Sequence, residues 1–169
     1  MPGSFSRQLD DPFLAQGIAG QWFASGRGPL DIPTMQSVNL LIANPPGSGK
    51  LILIHRYRVH VTSAAEYITI QVNPTTTLPM TVAGSPNRRI GAPAGVAIVT
   101  MDVNAVAMGG GTLLPYEIPV ETSERTFTEF LMYPAIILPP GFSIGTSFTN
   151  TSEGSSKIVN LLDWREVPT

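Results

Sequence analysis

At 169 residues, with 43% hydrophobic and only 13% charged side chains, the chain has the apolar content for one domain with a sizeable core and about half the usual surface charge. A formal net charge of −2 without a basic block excludes the electrostatic footprint of a nucleic-acid binder, and the lack of Cys excludes disulfides and thiolate metal sites. No stretch reaches the roughly 18 apolar residues of a membrane span, and residues 1–7 lack the charged region and apolar run of a signal peptide.

Residues 1–34 differ from the rest of the chain. Asp10-Asp11-Pro12, Gly17, Gly20, Gly26, Gly28-Pro29 and Ile32-Pro33 place breakers too densely for a long helix or strand. Phe5, Phe13, Trp22 and Phe23 nevertheless stand among them. Two readings fit: a segment folded back on its own domain, or an arm whose aromatics anchor it on a neighbour, the second being preferred because aromatics dominate interfaces.

From Met35 onward the pattern is that of strands. Residues 37–44 form a short strand ending in the turn Pro45-Pro46-Gly47-Ser48-Gly49, and residues 50–61 form the clearest strand of the chain. In the latter, Leu51, Leu53, His55, Tyr57, Val59 and Val61 share one parity, and Ile52, Ile54, Arg56, Arg58 and His60 the other. Residues 66–72 alternate again, and residues 95–103 and 113–120 give further strands around Gly109-Gly110-Gly111. Residues 126–133, residues 135–138, the turn Pro139-Pro140-Gly141, residues 142–150 and residues 156–167 complete the set. About eight strands, with turns roughly every 8–12 residues and no helical pattern, predict an all-β, two-sheet antiparallel sandwich or jelly roll.

Near the end of the chain, Phe142 and Phe148 oppose a face of small polar residues, Ser143, Gly145, Ser147 and Thr149. Such a face suits close packing against a neighbour or a wet exterior. The last strand is apolar on both faces, Leu162 and Trp164 on one and Val159 and Leu161 on the other, as expected of a central strand or of one covered by a partner subunit. Phe142, Phe148, Leu162 and Trp164 are therefore candidates for subunit packing.

Candidate chemistry is thin. Asn44-Pro45-Pro46-Gly47-Ser48-Gly49-Lys50-Leu51 mimics a phosphate-binding loop, but Asn44 stands where the motif needs Gly, Leu51 where it needs Ser or Thr, and a strand pattern follows where a helix belongs. It reads as a hairpin loop. His55 and His60, the only histidines, lie an odd number of residues apart, which sends them to opposite faces of an unbroken strand and argues against a metal site. Asp10, Asp11, Glu117, Glu121, Glu124 and Glu129 show no spacing that predicts a catalytic pair, and no nucleophile elbow is present. Arg88-Arg89 in a Ser-Pro-Asn loop suits a carboxylate or anionic sugar, though a solvated loop is the plainer account. Asn150-Thr151-Ser152 matches a glycosylation acceptor.

Two stretches carry a resemblance. One is Asn44-Pro45-Pro46-Gly47-Ser48-Gly49-Lys50 followed by a long strand. The other is Ile137-Leu138-Pro139-Pro140-Gly141-Phe142-Ser143-Ile144, then Thr149-Asn150-Thr151, then residues 158–166 ending Asp163-Trp164-Arg165-Glu166. Over residues 37–167 the chain resembles bacteriophage structural proteins with a jelly-roll domain of the tumour-necrosis-factor-like type: decoration proteins, head fibres and tail-associated receptor binders. The resemblance implies a homotrimer and a particle-bound role in the virion, with no catalytic residues to transfer.

The combined expectation is an irregular N-terminal arm, residues 1–34, followed by a jelly-roll domain, residues 35–169. The function expected is that of a non-enzymatic virion protein made in the host cytoplasm, without cofactor, metal, nucleic-acid or membrane partner. It self-associates and docks on a major capsid or other virion protein. The alternative is a tail- or fibre-associated module that binds a receptor carbohydrate.

Overall fold

The computed structural model describes residues 21–62, 67–75, 78–87, 89–114, 118–119 and 128–169. They form eleven strands: β1 (Trp22–Ile32), β2 (Ser37–Ala43), β3 (Lys50–Val61), β4 (Tyr67–Val72), β5 (Thr81–Val82), β6 (Ile98–Asn104), β7 (Thr112–Leu113), β8 (Ile118–Pro119), β9 (Thr128–Leu138), β10 (Ser143–Thr149) and β11 (Ser156–Pro168). Two antiparallel sheets pack face to face. The first has the order β1-β11-β3-β9, and the second the order β5-β6-β2-β10-β4-β7, with β8 also pairing β4.

The pairing follows from folding the chain back on itself. Strands from its two halves join as β1 with β11, β2 with β10, β3 with β9, and β4 with both β7 and β8, always antiparallel. Wrapping that long double ribbon brings β11 against β3 and β10 against β4, which splits it between two sheets. This is jelly-roll connectivity, so the all-β sandwich read from strand spacing is the observed fold class. Strands β5 and β6 extend the second sheet beyond β2.

Inward faces meet in a single core. Ile52, Ile54, Tyr57, Val59, Val61, Ile158, Leu162 and Trp164 of the first sheet pack on Val38, Leu40, Ile42, Ile68, Ile70, Val99, Met101, Ile144 and Phe148 of the second. Tyr57 is enclosed among them. Its hydroxyl donates to Asn160 Oδ1 at 2.7 Å, which satisfies the polar tip, and burial pushes the phenol above its ordinary range.

The largest departure from expectation lies in the segment read as an arm. Residues 22–32 are β1, hydrogen-bonded along β11, and only residues up to 20 of that segment lie outside the described chain. The breakers are accommodated because, past a single bridge from Phe23 to Asn87, β1 pairs on one side only. Between Arg27 and Leu30 its register slips by one residue against β11, and this bulge takes up Gly28-Pro29, where proline's missing N–H costs no ladder bond. Pro134 is handled the same way: residues 128–133 and 135–138 are one edge strand, β9, whose register against β3 is interrupted between Leu131 and Ile136.

A second irregularity lies in β3. Its buried side chains change parity, from Ile52 and Ile54 to Tyr57, Val59 and Val61, and the pairing with both β9 and β11 slips between Ile54 and Arg56. His55 is the extra residue of this bulge. The mixed parity of the sequence was the mark of it.

Because β1 belongs to the core, Phe23→Ala is expected to destabilise the chain by about 3–5 kcal/mol in urea unfolding. A loss under about 1 kcal/mol, as is usual at surface positions, would contradict the placement. Truncation at residue 34 removes β1 altogether and is expected to abolish a cooperative thermal transition.

Candidate interaction surfaces

Five of the eight residues singled out as contact candidates face the inside of the sandwich or lie tightly covered. Phe23 is 5% exposed and stacks on Trp164 at a ring-centroid distance of 5.9 Å, while Phe148, Leu162 and Trp164 are fully buried. Phe23 is therefore not an arm contact, and Phe148, Leu162 and Trp164 are not subunit contacts. β11 is apolar on both faces because it is a central strand, one of the two readings its sequence allowed. Trp22 is also buried, stacked on His55 at 5.4 Å. Phe142 alone of the packing candidates keeps substantial exposure, 44%, in the turn before β10. Phe5 and Phe13 lie outside the described residues.

The outer face of the first sheet carries its charge. Asp163 is inaccessible to solvent and accepts from Arg56 Nε at 2.9 Å and Arg58 Nη2 at 3.1 Å, both arginines being about three-quarters covered. A carboxylate so enclosed is held by two charge-assisted bonds. His55 lies on this same outer face, against Trp22 and near Arg165, and so does His60. The expectation that the two imidazoles point to opposite faces is thus corrected, because the bulge at His55 resets the alternation. Five residues of strand still part them by on the order of 15 Å. Among the described residues no three His, Asp or Glu side chains converge as a metal site would need.

Burial, and next the charge of Arg165, lower the pKa of His55 from its ordinary 6.5. The folded chain then binds that proton less readily than the unfolded chain. The stability supplied by neutral His55 is complete above about pH 6.5 and is lost as pH falls below it. His55→Phe, which preserves the aromatic stack, is expected to flatten the fall in Tm between about pH 7 and about pH 5. An unchanged slope in that window would place the titration elsewhere.

Glu166 is a second buried carboxylate, and it ties a loop to the sheet. It accepts from Val96 N and Ala97 N, each at 3.0 Å, and from Trp164 Nε1 at 3.2 Å. A Cβ at Gly95 would crowd the Glu166 carboxylate and Phe23, so a larger residue there has to displace the Glu166 clasp.

The outer face of the second sheet is covered in part. The stretch after β6 folds across it, and Met108, 3% exposed, lies over Gly145, where a Cβ would come within 2.7 Å of Met108 Cε. Met108 N donates to Asn39 Oδ1 and Ser147 Oγ, both at 3.0 Å, while Asn39 Nδ2 donates to Val106 O at 3.0 Å. Gln71 Nε2 donates to Met108 O, also at 3.0 Å. The small polar face of β10 is small because the chain's own loop packs on it. Neither a neighbour nor bulk water occupies that place over Gly145 and Ser147.

The phosphate-loop mimic is the β2–β3 hairpin. Asn44, 1% exposed, donates through Nδ2 to Lys50 O at 2.8 Å and Leu138 O at 2.9 Å and accepts from Ser48 Oγ at 2.6 Å; β3 begins at Lys50. At the opposite end of the β2–β10 pair, Asn150 is fully buried. It donates to Ile32 O and Gly154 O, both at 2.8 Å, and accepts from Ser152 N and Oγ. The glycosylation signal is therefore a turn pin, enclosed in the folded chain. Asn150→Ala removes the bonds to Ile32 O, Gly154 O and Ser152 N and Oγ, of which only Ser152 Oγ and Gly154 O keep each other, and is expected to cost about 2–3 kcal/mol in chemical denaturation. An effect within 0.5 kcal/mol, about the surface norm, would show that the pin is dispensable.

Comparison of this chain with protein-family models, curated proteins and solved structures gave no significant match.

Proposed function

We propose that the chain is a non-enzymatic structural protein of a bacteriophage particle, a capsid decoration or cement protein that assembles with copies of itself. The observation that carries this reading is the jelly-roll pairing of β1 with β11, β2 with β10, β3 with β9, and β4 with β7 and β8. It is the fold implied by the resemblance of residues 44–50 and 137–166 to phage jelly-roll proteins. The sparse charge of 13% supports a surface that rests against protein. Exposed Phe142 and Ile137 at the end of the sandwich that holds the Asn44 hairpin, together with Ile98 and Val82 at the β5–β6 edge, offer apolar area for such contacts.

The docking role now rests on residues 1–20, with Phe5 and Phe13, since Trp22 and Phe23 are engaged within the sandwich. The carbohydrate-binding alternative is weakened because both tryptophans, Trp22 and Trp164, are buried and offer no platform for a sugar ring.

Gold-labelled antibody against the chain, applied to purified particles of the phage that encodes it, is expected to decorate the particle. Label confined to unassembled protein would overturn the particle-bound role. In the full chain, Phe5→Ser with Phe13→Ser is expected to weaken particle binding at least about tenfold while leaving the thermal transition in place. Unchanged binding would remove the N-terminal segment from the interface.

A further inference from the structure

We propose that two copies of this chain pair face to face through the outer surface of the second sheet, about a two-fold axis. This rests on the self-association reading above and names the face that carries it.

The face is set apart by its lack of charge. Strands β5, β6, β2, β10, β4 and β7 contain one charged residue, Asp102, while β3 of the first sheet alone carries Lys50, Arg56 and Arg58. Asp102 is already engaged, accepting from Thr81 Oγ1 at 2.8 Å and Val103 N at 2.9 Å and lying 3.9 Å from Arg27 of β1. Leu40, Ile42, Val99 and Met101 fill the core, so the alternate residues of their strands point outward. The registers then set one outward row across the whole sheet: Val82, Thr100, Leu41, Gly145, Gln71 and Leu113. Val82 and Leu113 at its two ends are exposed, and so is Ile98 in the next row.

The segment that crosses this face after β6 is not built like a solvent loop. Ala105-Val106-Ala107-Met108-Gly109-Gly110-Gly111 offers no polar side chain, although Ala105, Val106 and Ala107 are all exposed. Loops facing water are ordinarily polar, and a run of exposed apolar residues is the mark of a functional surface. This ridge is ordered within the single chain: Asn39 bonds Val106 O and Met108 N, and Gln71 bonds Met108 O. A contact made by such a pre-ordered backbone loses little conformational entropy.

Charge and area identify the occupant. A neutral apolar face finds no match on the outer face of the first sheet, where Arg56, Arg58 and Asp163 stand. It matches a second copy of itself, which is the isologous arrangement of a two-fold dimer. Six strands spaced about 4.8 Å apart, the longest roughly 20 Å, offer roughly 500 Å² per copy and roughly 1,000 Å² for the pair, the level a specific interface has to clear. Because the ridge stands above the sheet, the axis passes beside it. Each ridge lies along the partner's open strip around Leu41 and Ile98.

The test is the mass of the full-length chain by light scattering over a concentration series, with a dimer expected. Ile98→Lys with Val106→Lys is expected to raise the dimer dissociation constant at least about tenfold, and Ile98→Glu with Val106→Glu to do the same. Both side chains are exposed, so the thermal transition is expected to remain; Val82→Lys and Val82→Glu supply a second pair of variants at an exposed position of the same face. An equimolar mixture of a lysine and a glutamate variant is expected to regain the dimer mass, because a face that meets its own copy sets lysines against glutamates. A wild-type trimer, variants that keep the wild-type mass, or a mixture that stays monomeric overturns the two-fold contact alone. A wild-type monomer at every concentration overturns the self-association reading itself.

Discussion

Strand β11 is hydrogen-bonded on both flanks, to β1 and to β3, and the core closes over its inward side chains. This one strand, the last of the chain, ties its first described element, β1, to β3. Trp164 sits at the junction, stacked on Phe23 of β1, with its indole N–H on Glu166, which in turn holds the 84–97 loop. Such long-range pairing costs loop-closure entropy before it returns any stability. The apolar area enclosed by Trp164, Leu162, Ile158 and Phe23 is what offsets that cost.

Apart from the bulge at His55 in central β3, irregularity is pushed to the edges. Gly28-Pro29 lies in β1, Pro134 in β9, and the two-residue strands β5, β7 and β8 flank the second sheet. Bulges, prolines and short strands leave little continuous backbone for unplanned strand pairing.

Buried polar side chains fasten the loops. Asn39 and Ser147 hold the segment that covers the second sheet, Asn44 and Asn150 pin turns at opposite ends of the β2–β10 pair, and Asp163 and Glu166 do comparable work with charge. Each is held by convergent partners, and a buried polar group so held specifies one geometry. Part of the chain's modest stock of carboxylates is thus spent inside, which leaves the outside still more sparsely charged.

The strands from Ser37 onward were legible from the sequence because alternation and turn residues are local properties: β2, β3, β4, β10 and β11 begin and end within a residue or two of their expected bounds. The sandwich class followed from their number and spacing. Three things had no local signature strong enough to be read. The breakers of β1 looked incompatible with a strand, and only pairing with β11 on a single side, with a bulge at Gly28-Pro29, makes them tolerable. The parity switch at His55 was visible as residues, but its meaning, a bulge that puts both histidines outside, depends on the registers of two neighbouring strands. The small face of β10 and the aromatics Phe148 and Trp164 looked like contact surface, because a sequence does not say whether a face is covered by a partner or by the chain itself. That depends on which distant segments return, here Met108 over Gly145 and Phe23 beneath Trp164, and return is a tertiary property.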